Sequence, residues 1–174
     1  LQMIMSISEA LSKKLQDANI PFASVAVTNE QETIFSEHIG SQIIGEDKTV
    51  DSSTIYRIAS MTKPIVSLAA LLLVQKGSLK LDDFAEDYVP ELKDLKVANL
   101  VDGEIHYEDA NEKITIHQLL AHTSGFAYDF HDPVLTKLLA DEKIAPLTDK
   151  AGAFIKVPLS YKPGTKWEYG VGLD

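Results

Sequence analysis

The stretch that most constrains this chain is residues 65–74, IVSLAALLLV. It is apolar at nearly every position, so no face of a helix built from it is polar, and it is expected to be buried. A membrane span needs about 20 such residues. This run has half that, and it holds Ser67, so it fits a core helix and gives no membrane span. The helix is expected over 60–76, with Gly77 as its C-cap. A core helix needs other elements to cover it, and the rest of the sequence must supply them.

Ahead of it, residues 7–18 read as a helix, with Ile7, Leu11 and Leu15 on one face and Ser6 and Glu9 as a capping box. Pro21 ends it. Two β-rich runs, FASVAVT (22–28) and ETIFSEHIG (32–40), flank Asn29-Glu30-Gln31 and read as an antiparallel hairpin. Residues 41–53 are polar loop. After the apolar helix, 79–89 is acidic and helix-prone until Pro90, and Asp82, Asp83, Glu86 and Asp87 read as a solvated helix face. Residues 96–111 look irregular and exposed. Thr115 and Gln118 form a second capping box, opening a short helix that stops at Thr123-Ser124-Gly125. Asp132-Pro133 starts a helix over 134–143, and another short helix is expected over 149–156. Two strands do not make a stable sheet alone, so the first hairpin calls for later strands. The expected class is α+β. Residues 1–56 would carry the N-terminal helix and first strands, and residues 57–174 a mostly helical region.

Charge and composition remove several function classes. With 16 basic and 26 acidic residues the chain carries −10, which disfavours nucleic acid and anionic membrane surfaces as partners. No cysteine is present, which excludes disulfides, thiolate catalysis and Cys-based metal sites. The five histidines form no HExxH and no i,i+4 pair on one expected helix, so no metal or other cofactor is expected. There is no GxSxG, no GxxxxGK and no glycine-rich dinucleotide fingerprint. No basic, apolar leader opens the chain, so the expected location is cytoplasmic.

Ser60-Met61-Thr62-Lys63 is the sharpest chemical candidate. A chain of this composition holds about one Ser-x-x-Lys by chance, so the pattern alone is weak. Placement strengthens it. Ser60 falls where the strand-like TIYRIA meets the apolar helix, near free N–H groups that favour an alkoxide or oxyanion. Lys63 is one turn on, and burial beside an apolar helix would lower its pKa and let a neutral amine act as base. The plainer alternative is an N-cap serine beside an ordinary surface lysine. Tyr169 likewise reads, on local grounds, as an aromatic packed with Trp167. His122 reads as a structural hydrogen-bonding group at a helix end.

Three blocks in order, YRIASMTKPIVSLAALLLVQKGSLKLDD (56–83), ITIHQLLAHTSG (114–125) and YKPGTKWEYGVGLD (161–174), resemble the serine β-lactamase-like family: class C β-lactamases, DD-peptidases and the related esterases and transacylases. The resemblance implies the α/β sandwich of β-lactamase/transpeptidase type, of which this chain would be the N-terminal portion, with the C-terminal sheet strands and the cleft strand absent. It implies Ser60 as the acylated nucleophile, Lys63 as its base partner and Tyr169 as the third catalytic member. Val171 stands where penicillin-recognising relatives carry the asparagine of Tyr-x-Asn. WEYGVGLD instead resembles the esterase and transacylase branch, including fungal lovastatin-type acyltransferases. The expected function is a serine hydrolase or acyltransferase acting on small carboxylic esters or thioesters. The alternatives are a β-lactamase or DD-peptidase, and a non-catalytic binding module. The chain alone is expected to be inactive and marginally stable.

Overall fold

A computed structural model describes residues 2–147 and 152–174. Contacts within the chain separate residues 1–58 from residues 59–174, and each unit has its own architecture.

In the first unit, helix α1 (Gln2–Asp17) begins before the expected Ser6 cap. Gln and Met ahead of Ser6 are good helix formers, so nothing stops the helix there. It ends in a Schellman turn. Asn19 takes a left-handed φ of 53°, while the N–H groups of Asn19 and Ile20 donate to the carbonyls of Gln16 and Leu15. Strands β1 (Phe22–Thr28) and β2 (Thr33–Gly40) pair antiparallel from Phe22↔Gly40 to Thr28↔Thr33. The Asn29 side chain accepts from the N–H groups of Gln31 and Glu32 and shapes the turn. Among the described residues, Leu15 of α1, Phe35 of β2 and Val50 are the buried apolar anchors here.

In the second unit, a 3₁₀ turn (Ala59–Met61) leads into helix α2 (Thr62–Gln75), and Gly77 follows at φ 73° as expected. Its burial is not as expected. Ile65 and Leu68 are about 60% exposed, and Lys63 is its one buried residue. An apolar helix is covered only if other elements reach it, and those of this unit leave most of its face open. Residues 79–89 form turns rather than a helix. The Asp83 carboxylate accepts from the Lys80 N–H and the Tyr88 hydroxyl, local bonds that compete with helix formation. Short 3₁₀ turns follow at Ala85–Asp87 and Pro90–Leu92.

The segment expected to be irregular is a second hairpin, β3 (Lys96–Val101) and β4 (Glu104–Asp109). Asp102 and Gly103 between them both have positive φ, 50° and 84°, the two-residue turn whose twist matches paired strands. Helix α3 (Ile116–Leu120) opens on the expected Thr115–Gln118 capping box. Helix α4 (Pro133–Ala140) opens on Asp132, whose carboxylate accepts from the Leu135 N–H, and it stops three residues short of expectation. The helix expected over 149–156 lies partly outside the described residues; Ala153–Lys156 is a 3₁₀ turn.

Leu159 sits at the centre of this unit. It makes a parallel bridge to Val97, with its carbonyl accepting from Ala98 and its N–H donating to Lys96. Val97, Ile114, Phe126, Val157 and Val171 surround it, while Leu135 and Leu138 of α4 close on Ala98 and Ala127. Helices mixed with small antiparallel sheets make the architecture α+β. Among the described residues no helix is long and apolar enough to cross a membrane.

Candidate active site

The site gathers where α2 begins. Ala59 is held at φ 45°, a left-handed backbone uncommon for alanine, immediately before Ser60. Ser60 therefore lies in the 3₁₀ turn and not at the helix N-cap, which is Met61. Among the described residues Ser60 has no hydrogen-bonded side-chain partner, and it is exposed. It shares a recess of about 360 Å³ with Lys63, Val66, Tyr128, Leu173 and Asp174.

Lys63 is no surface lysine. It is 7% exposed. Its Nζ donates to Tyr128 Oη at 2.8 Å and to Asp174 Oδ2 at 2.7 Å. Tyr128 Oη in turn donates to the same Asp174 oxygen at 3.0 Å, closing a triangle. Burial alone pulls the lysine pKa down, and it is the largest single influence. The hydrogen bonds and charges of Asp174 and Tyr128 together outweigh it and hold the pKa above the ordinary value. The lowered lysine pKa expected from burial is thus reversed in direction: a carboxylate the motif does not reveal faces the amine and favours its protonated form. Burial raises the Tyr128 pKa, with Asp174 adding to it and Lys63 opposing.

Tyr169 comes to the site by its ring. The ring centroid is 5.3 Å from Lys63 Nζ, 5.4 Å from the Tyr128 ring and 4.8 Å from the His122 ring. Trp167 is largely exposed and meets His122 edge-on, so Tyr169 packs with His122 and Tyr128 instead. His122 makes the structural bonds expected of it. Its carbonyl accepts from the Glu168 N–H and the Tyr161 hydroxyl, and its Nδ1 accepts from the Gly170 N–H at 3.3 Å. Burial, and next the Lys63 charge, hold its pKa below the ordinary value and favour the neutral ring. Val171 is buried in the core beside Phe126. The structure brings Ser60 and Lys63 into one recess and sets the Tyr169 ring against Lys63. It adds Tyr128 and Asp174, which lie 65 and 111 residues from Lys63 in the chain and leave no local signal. Among the described residues no group of three or more His, Asp or Glu side chains could hold a metal ion.

An α+β unit with a Ser-x-x-Lys helix facing an aromatic loop defines a β-lactamase/transpeptidase-type fold. Residues 7–172 match the Beta-lactamase family, and the chain belongs to it. Protein flp of Staphylococcus aureus (strain N315) is 32% identical over 163 residues, covering 94% of this chain and 30% of that protein. Esterase EstB of Burkholderia gladioli is 29% identical over 175 residues, covering 97% of this chain and 42% of EstB. The solved structure of unliganded Simvastatin Synthase (LovD) from Aspergillus terreus superposes with a TM-score of 0.83 at 25% identity, over 98% of this chain and 46% of LovD. EstCE1, a hydrolase with promiscuous acyltransferase activity, shares the fold at a TM-score of 0.73. The chain spans less than half the length of each of these relatives.

Proposed function

We propose that this chain carries the nucleophile half of a serine hydrolase or acyltransferase that acts on carboxylic esters or thioesters. The observation that carries the reading is the recess itself: Ser60 opens into it from a strained turn, with the buried Lys63 one helical turn away. The naming of EstB as an esterase supports the ester side.

Ser60 attacks the carbonyl, and its own backbone N–H is one donor to the oxyanion. Lys63 and Tyr169 take up the Ser60 proton and return it to the leaving alcohol or thiol. For Lys63 to accept a proton, its ammonium must first pass one on. Asp174 and Tyr128, both hydrogen-bonded to it, are the groups placed to receive or relay it. Water or an acceptor alcohol then resolves the acyl-enzyme. Val171 in place of an amide side chain weighs against peptide and β-lactam substrates.

The test uses the complete protein that contains this chain. Treatment with a fluorophosphonate, followed by peptide mapping, is expected to place the adduct on Ser60; an adduct elsewhere overturns the assignment. A short-chain aryl ester should be turned over and a chromogenic cephalosporin should not. The reverse preference would favour the β-lactamase or DD-peptidase reading.

A further inference from the structure

The segment that carries Tyr169 is tied along its length to the 122–125 loop. Ser160 N–H donates to the Gly125 carbonyl, Gly164 N–H to Thr123 and Glu168 N–H to His122. Those three acceptors are backbone, and any residue could supply them. The fourth is not: Gly170 N–H donates to the imidazole Nδ1 of His122. His122 therefore holds the residue before Tyr169 and the residue after it, and its ring lies against the Tyr169 ring at 4.8 Å. Tyr161 Oη braces the same histidine by donating to its carbonyl at 3.2 Å. Little slack remains on the far side. A Cβ on Gly170 would fall 2.2 Å from the Phe126 carbonyl oxygen, so the backbone there is already in close contact.

We infer that His122 is a positioning residue: its side-chain acceptor and ring face clamp the Glu168–Gly170 backbone and so fix where the Tyr169 phenol stands relative to Lys63 and Ser60. The inference rests on the reading of Tyr169 as a proton-transfer group. The neutral ring is a requirement of the clamp, since a doubly protonated imidazole has no acceptor at Nδ1. Burial, and next the nearby Lys63 charge, favour that neutral form.

The test compares His122→Ala and His122→Asn in the complete protein. Asparagine can place its carboxamide oxygen near the position of Nδ1 and tolerates the left-handed φ of 57° at this position. His122→Ala is expected to lower kcat for an aryl ester on the order of 10- to 100-fold, the scale set by ångström misplacement of a catalytic group. KM should stay within about threefold, since substrate binding is not the lost interaction. His122→Asn should recover most of that loss. Amide hydrogen exchange of the 166–174 peptide should rise in His122→Ala and return toward the parent in His122→Asn. Parent-like kcat and exchange in His122→Ala overturn the clamp, as does a fall of equal size in both variants. If the parent protein forms no Ser60 adduct, the catalytic reading fails, and the exchange comparison decides the clamp by itself.

Discussion

At Lys63 the Asp174 carboxylate, with Tyr128 beside it, reverses what burial would do. Removing Asp174's charge as Asp174→Asn leaves burial as the dominant influence, so the amine should lose its proton at lower pH. In the complete protein, the rise of Ser60 acylation rate with pH should then shift to lower pH; an unmoved midpoint would mean that Asp174 does not hold the ammonium ion. The effect on stability has a definite sign. A lysine whose folded pKa exceeds its unfolded one stabilises the fold fully below the unfolded value. That contribution fades only as pH climbs through the raised folded value, so its window is alkaline and the pair is intact at neutral pH. The sequence makes Ser60 and Lys63 legible because their relation is one helical turn. It cannot show Tyr128 or Asp174 as partners, since those contacts exist only after the chain has folded back on itself. His122 was legible as a structural group, but not which backbone it holds.

At the scale of elements, capping chemistry was the most readable layer. Thr115 with Gln118 and Asp132 with Pro133 mark helix starts because their bonds are local. Asp132→Ala should cost about 1 kcal/mol, the usual loss for a missing N-cap, read as a lower thermal midpoint. The Ser6 box misled because a cap residue does not end a helix whose neighbours also favour it. The β3–β4 hairpin was legible in principle: Asp102-Gly103 is a strong short-range turn signal. The polar residues beside it, among them His106, Glu108 and Asp109, hid the strand pattern, since both faces of β4 are largely exposed. Gly103 has open space where a Cβ would go, so Gly103→Ala should lose only the left-handed backbone preference, about 1 kcal/mol in a denaturant titration. A much larger loss would show that the turn serves more than the hairpin.

For the whole chain, the exposed face of α2 is the dominant feature. Ile65, Leu68 and Leu72 together form apolar surface of the kind that associates. The isolated chain should bind a hydrophobic dye such as ANS, and Leu68→Gln with Leu72→Gln should reduce that binding while leaving the melting temperature nearly unchanged. A large fall in melting temperature would mean those side chains are already packed. The helix was read as buried from its composition, which records what the sequence needs covered and not which elements do the covering. The Val97–Leu159 bridge carries a consequence in time. It joins positions about sixty residues apart, and both hairpins among the described residues can form without it. Closing so long a loop costs conformational entropy before any contact rewards it. The hairpins and short helices should therefore form early and the Leu159 contact late. Trimming Leu159 to alanine should then speed unfolding far more than it slows folding.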